Sequence, residues 1–324
     1  MNSINTATEI LEPKKQLNLY GYDHYFDFFS KVFEKNKIPN ALLLTGPKGI
    51  GKSTFAYHII NYILSKNEEN KYSTQNFTIS EKNLSYKLLD LNTHPNFFFI
   101  NSSVNENEIK IDQIRELKKF LNKSTYSNDI KIILIDSAEN LNLNSSNALL
   151  KSIEEPASNV FFFIVHDSAY KIIDTIRSRC IEFKFHFNIF EKKNILKKII
   201  SQYNENLDVE SLFQYLYFDT PGNLIKYNSI LSKENLKLTD NFLESIFFFI
   251  NKCKHAKDKE SISILTTFIE KFYNDLCLSK NNNINKYFFN KLKILELLNN
   301  MKKYNLDKKN VLILIEEILQ NEEK

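Results

Sequence analysis

The chain has no tryptophan, three cysteines, six prolines and only five glycines among 324 residues. The cysteines, Cys180, Cys253 and Cys277, are odd in number, widely separated and form no CxxC pair. That excludes a disulfide framework and a zinc knuckle, and it points to a reducing compartment. Long hydrophobic runs are also missing. Val160 to Val165 and Ile246 to Ile250 are among the longest, well short of the ~20 apolar residues a bilayer-crossing helix needs. Met1 to Pro13 carries no signal-peptide core. A cytoplasmic protein without a membrane partner is therefore expected. Nor does charge of one sign dominate: 43 Lys and Arg against 39 Asp and Glu leave a net +4, which permits a nucleic-acid partner without demanding one.

What is present suits a multidomain globular protein, with 43% hydrophobic and 25% charged residues. Met1 to Leu17 is polar and aperiodic and is expected to be poorly ordered, with structure beginning near Tyr20. Helical spacing of apolar residues from Asp23 to Lys35 precedes a short buried strand at Ala41 to Thr45. Lys66 to Leu91, rich in Asn, Lys and Ser, reads as an exposed, partly helical insertion tolerant of change. Strand-length apolar runs follow at Phe97 to Ile100, Ile130 to Ile135 and Val160 to Val165, separated by amphipathic stretches at Asp112 to Leu121 and Asn144 to Glu154. An alternating run at Ile181 to Phe187 closes the set. Strands alternating with helices imply an α/β fold with a parallel sheet covered on both faces and a ligand at the strand C-termini. Beyond residue 187 only helical periodicity is evident, at Phe190 to Tyr203, Val209 to Phe218, Phe242 to Lys254, Ser261 to Leu278 and Lys286 to Leu298, with boundaries near Asn188 and Leu236.

Three of the five glycines gather in Gly46-Pro47-Lys48-Gly49-Ile50-Gly51-Lys52-Ser53, with Thr54 next to it. This fits GxxxxGK[ST] between a predicted strand and a predicted helix, the context in which backbone N–H groups cradle phosphates. Lys52 would reach the β and γ phosphates of ATP, Ser53 would ligate Mg²⁺, and the helix N-terminus adds its dipole. Ile132 to Ile135 leads into Asp136, the candidate acid that holds Mg²⁺ through water. The next position is Ser137, whose hydroxyl cannot accept a proton from an attacking water at neutral pH as a carboxylate can. Glu139 reads as a surface residue, and Lys118, Lys119 and Lys123 as a solvated helix face.

Further elements occur in a set order: Ile109 to Arg115, the run ending at Asp136, Asn147-Ala148-Leu149-Leu150-Lys151-Ser152-Ile153-Glu154-Glu155-Pro156, and Ser178-Arg179-Cys180. With the phosphate loop, the sequence from Leu19 to Phe187 resembles bacterial DNA polymerase III clamp-loader subunits of the AAA+ class. Within that family Ser137, in the place of the usual glutamate, favours the delta-prime type over gamma or tau. The resemblance implies an AAA+ nucleotide-binding domain over 1–187, a helical lid over 188–235 and a helical collar for oligomerisation over 236–324. It implies ATP and Mg²⁺ held with weak or no hydrolysis. The partners it implies are gamma/tau and delta subunits in a hetero-pentameric ring, the sliding clamp and primer-template DNA. Arg179 would be an arginine finger acting in trans on a neighbour's ATP site, with Arg177 structural. His166 falls at the sensor 1 position, to contact a phosphate or to cap the strand. Asp219 to Leu224 resembles the sensor 2 stretch, with Gly222 or Asn223 where active subunits carry arginine. Lys66 to Leu91 lacks the cysteines of the family's zinc module, so no zinc is expected.

Overall fold

In the computed structural model, residues 12–102, 108–123, 130–157, 159–202, 213–215, 217, 219–233, 236, 242–255, 259–279, 283–304 and 306–323 are described. The apolar runs become β1 (Ala41–Gly46), β2 (Phe97–Ile100), β3 (Lys131–Ile135), β4 (Val160–Asp167) and β5 (Ile181–Lys184). They form one sheet in the order β2-β3-β4-β1-β5 with every pairing parallel. β1 and β3 are buried at every residue, which explains continuous apolar runs in place of alternation. Successive side chains leave opposite faces of a strand. Leu42 and Leu44 therefore join Phe26, Phe29, Phe55 and Ile59 on one side, while Leu43 joins Ile114, Leu117, Leu149 and Ile153 on the other. The first group belongs to α1 (Asp23–Glu34) and α2 (Lys52–Leu64), the second to α4 (Ile111–Leu121) and α5 (Leu143–Glu154). Between them in the chain lies α3 (Leu84–Asp90), and α6 (Asp174–Arg177) and α7 (Ile189–Gln202) flank β5.

Two expectations need correction. Order begins before Tyr20: Pro13–Lys15 forms a short 3-10 turn, and Leu17 O accepts from Ile79 N–H at 2.9 Å. The segment from Lys66 to Leu91 is not merely an exposed insertion, because Tyr72, Ile79 and Leu89 are buried in the first core. Its polar residues hold it there. Asn61 Nδ2 donates to Asn83 Oδ1 at 3.0 Å, and Asn83 Nδ2 donates to Asn70 O at 2.8 Å. Asn83 also caps α3 by accepting from Tyr86 N–H. An Asn-rich composition that reads as loop is here a set of caps and cross-links.

The described chain divides into two compact units, one of Ile10–Val209 with Asp219–Asn223, the other of Glu210–Phe218 with Leu224–Lys324. α8 (Pro221–Ser232) leads from the first to the second and starts at a proline, which loses nothing at a helix's first position. In the second unit α9 (Phe242–His255) packs on α10 (Lys259–Ser279) and α12 (Lys308–Glu323), and α11 (Ile284–Tyr304) packs on α10 and α12. Phe268 is its aromatic hub, 4.9 Å from Phe242, 5.2 Å from Phe249 and 5.1 Å from Tyr227 between centroids. The helix expected over Val209 to Phe218 falls mostly outside the described residues. α12 lies in the stretch expected to be helical, and its Val311, Leu312, Ile315 and Leu319 are buried at helical spacing. Among the described residues no helix is long and apolar enough to cross a membrane.

Candidate nucleotide site

β1 ends at Gly46 and α2 begins at Lys52, so the glycine-rich stretch is the turn between them. Gly49 and Gly51 have φ of 76° and 103°, a region that side chains with a Cβ rarely enter. Pro47 and Lys48 are exposed, whereas Ile50 and Lys52 are buried. Lys52 Nζ turns back into its own loop, donating to Gly46 O at 2.7 Å and Pro47 O at 2.8 Å. Burial pulls the Lys52 pKa down, opposed by the carboxylates of Asp167, Glu139 and Asp136 in that order.

Parallel pairing of β1, β3 and β4 brings their C-terminal ends together. Asp136 directly follows β3, its N–H donating to Ile100 O at 2.9 Å. Ser53 stands close enough to Asp136 to help lower the pKa of its carboxyl, so the two residues expected to share a metal are neighbours. Burial raises the Asp136 pKa, with Ser53 and the Lys52 charge acting against that shift. Thr54 is half-buried in the first turn of α2.

The reading of Glu139 as a surface residue does not hold. Ser137 has φ 61° and ψ 57°, a left-handed backbone, and a 3-10 turn over Ala138–Asn140 follows. The reversal brings Glu139 back over the strand ends, where Oε2 accepts from Asp167 N–H at 3.0 Å. Its charge then acts on Lys52, ahead of that of Asp136. A serine in the left-handed region carries no sequence signature, so nothing in the pattern announced this turn. His166 is buried at the end of β4 in register with Thr45. Burial lowers its pKa, with Glu139 and Asp167 opposing.

Arg179 lies outside this cluster. It is exposed just past α6, ion-paired with Glu154 of α5, and donates to Thr175 O at 2.8 Å and Ser178 Oγ at 3.3 Å. Arg177 instead binds Glu182 of β5 through Nε at 3.2 Å and through Nη2 at 2.8 Å, tying α6 to the sheet edge. Lys118, Lys119 and Lys123 are exposed at the end of α4. The side chain that ends this helix was missed: Lys131 Nζ, at the start of β3, donates to Phe120 O at 3.0 Å and Leu121 O at 2.7 Å, where a cation favours the helix C-terminus.

Residues 21–188 match the family model described as DNA polymerase III, delta subunit. The chain belongs to this family. As a member it is 32% identical over 143 residues to the DNA polymerase III subunit delta' of Pseudomonas aeruginosa, covering 44% of this chain and 42% of that one. It is 29% identical over 234 residues to the subunit gamma of Buchnera aphidicola subsp. Schizaphis graminum, 70% of this chain and 61% of the other. It is also 27% identical over 294 residues to the subunit delta' of Buchnera aphidicola subsp. Baizongia pistaciae, 87% and 69% of the two chains. The first two matches thus span less than two thirds of the relatives' lengths. Among solved structures, a gamma subunit-related protein of Thermotoga maritima superposes with a TM-score of 0.50 at 15% identity, covering 91% of this chain and 99% of that one, and so shares the fold.

Proposed function

We propose that this chain is the delta-prime subunit of a DNA polymerase III clamp loader. In this reading Gly46 to Thr54 with Asp136 bind ATP and Mg²⁺ with weak or no hydrolysis, and Arg179 serves a neighbouring ATPase subunit in trans. One observation carries it. Lys52, Ser53 and Asp136 converge on a single strand-end site, while the residue directly after Asp136 is a serine that cannot take a proton from water.

The donor set fits a magnesium triphosphate. Loop N–H groups and the α2 N-terminus suit phosphate oxygens, and Lys52 supplies the cation once it leaves Gly46 and Pro47. Ser53 would hold the metal directly and Asp136 through water. A bound Mg²⁺ would offset phosphate charge against the nearby carboxylates. Arg179 is at the surface and so within reach of another subunit. Residues 1–187, 188–235 and 236–324 then serve as nucleotide-binding domain, lid and collar. The partners are gamma/tau and delta subunits in a hetero-pentameric ring that loads the sliding clamp onto primer-template DNA.

Reconstitution with the other loader subunits tests this. Arg179→Ala is expected to leave assembly intact and to lower ATP turnover of the complex by ~10-fold or more. Unchanged turnover rules out the finger. Lys52→Ala should abolish ATP binding by this subunit. A second reading, an active gamma/tau-type or other AAA+ DNA-processing ATPase, draws on the placement of Glu139 beside Lys52. ATP turnover by the purified chain that is lost in both Lys52→Ala and Glu139→Gln would favour it.

A further inference from the structure

The phosphate loop has a backbone carbonyl at each residue from Gly46 to Gly51, and every one of them accepts a hydrogen bond. Gly46 O and Pro47 O take Lys52 Nζ, and Gly46 O also takes Ser168 N–H at 3.0 Å. Gly51 O takes Phe55 N–H at 2.9 Å, the ordinary start of α2. The three between are held by groups from outside the loop and its helix. Lys48 O accepts from Thr220 Oγ1 at 2.8 Å, Gly49 O from Gly222 N–H at 3.1 Å, and Ile50 O from Tyr22 Oη at 3.1 Å.

We infer that Tyr22, Thr220 and Gly222 are positioning residues for the phosphate loop, a clasp that holds its carbonyls outward whether or not a phosphate is bound. The role in affinity rests on the nucleotide-binding reading above; the clasp itself does not. In a trans peptide the C=O and the following N–H point opposite ways, so anchoring the carbonyls from outside turns the amides inward. Lys52 cannot supply this hold, because the ammonium that occupies Gly46 O and Pro47 O is the group a phosphate would draw away. Gly46 O keeps Ser168 N–H when that happens, and Pro47 is exposed to water. The outer three bonds need no rearrangement.

The contact is built for backbone approach. A Cβ on Gly222 would stand 2.5 Å from Gly49 O, and one on Gly49 would stand 2.4 Å from both Thr220 Oγ1 and Asn223 Oδ1. The strap is braced in turn. Asp219 Oδ1 accepts from Thr220 N–H and Asn223 Nδ2, both at 2.7 Å, and Asp219 O accepts from Lys192 Nζ of α7 at 3.1 Å. On the other side Tyr22 is fully enclosed, stacked on Phe55 at 5.1 Å and edge-on to Phe185 and Phe187. Burial pushes its phenol pKa well up, which keeps the hydroxyl a donor. The stretch without a sensor 2 arginine thus grips the loop backbone.

The test uses the full chain with Thr220→Val, which keeps the shape and removes the donor, Thr220→Ser, which restores it, and Tyr22→Phe. In nucleotide-free protein, amide exchange over residues 48–51 is expected to rise about fivefold in Thr220→Val and Tyr22→Phe, with β3 unaffected and Thr220→Ser like the parent. MgATP affinity should fall by a similar factor and recover in Thr220→Ser. Unchanged exchange in the loop, or exchange that rises equally in β3, would overturn the clasp. Should the parent chain bind no MgATP, the nucleotide reading falls, and the exchange data alone decide for or against the clasp.

Discussion

His58, in the middle of α2, is fully buried with Nε2 3.2 Å from Gln16 O and Nδ1 2.9 Å from Tyr72 Oη. A carbonyl only accepts, so Nε2 carries the proton and Tyr72 donates to Nδ1. This arrangement has no room for a second proton, and burial lowers the imidazole pKa to about 3. The unfolded chain takes up that proton near pH 6.5, an ordinary histidine value. Stability contributed here is complete above about pH 6.5 and is lost as pH falls from there towards 3, because the unfolded state then binds more protons. Urea unfolding at about pH 5 should show a loss of about 2 kcal/mol from this one group relative to about pH 7.5. His58→Gln should remove that share of the slope. The same residue marks the limit of legibility. Lys52, Ser53 and Asp136 could be named from the sequence because their chemistry is tied to a motif and to strand ends. His58, Tyr22 and Thr220 act through tertiary partners up to 172 residues away, and no local spacing encodes those.

At the level of elements, most strands and helices were legible from apolar runs and periodicity, because a sheet buried on both faces leaves uninterrupted apolar segments. The misreadings came where polar residues build structure. α3 and α5 allow a comparison. Asn142 caps α5 by accepting from Ser145 N–H at 2.9 Å at a half-buried site. Asn83 caps α3, accepts from Asn61 inside the core and donates to the backbone carbonyl of the exposed Asn70. Asn142→Ala is expected to cost about 1 kcal/mol, the value of a cap. Asn83→Ala should cost about 2–4 kcal/mol, since it also leaves the buried Asn61 amide without its acceptor. Chemical denaturation of the two variants measures the difference, and equal losses would mean that the buried amides find water or another partner.

Over the whole molecule, membership of the DNA polymerase III delta family accompanies a surface that a lone globular chain has little reason to build. α11 has two apolar sides. Tyr287, Ile294, Leu298 and Met301 face its own unit, whereas Ile284, Phe288 and Leu292, one turn apart, are 42%, 55% and 49% exposed. Under the proposed function this outer stripe belongs to the collar. Phe288→Asp with Leu292→Asp is then expected to leave the unfolding midpoint of the isolated chain within ~0.5 kcal/mol of the parent. The same pair should prevent co-elution with the other loader subunits in gel filtration. Continued co-elution would place the contact elsewhere.

The five glycines have a shared location. Gly46, Gly49 and Gly51 are in the loop, Gly222 rests on Gly49, and Gly21, at φ 79°, precedes the tyrosine that holds Ile50. Elsewhere the chain turns corners without this residue, entering the left-handed region with Asn36, Phe77, Asn92 and Ser137 among the described positions. Its supply of unhindered backbone is therefore concentrated around one loop and the segments that touch it. Five single alanine exchanges would be an exhaustive survey of where this polypeptide cannot tolerate a methyl group in glycine's stead, and all five would report on the same few cubic nanometres.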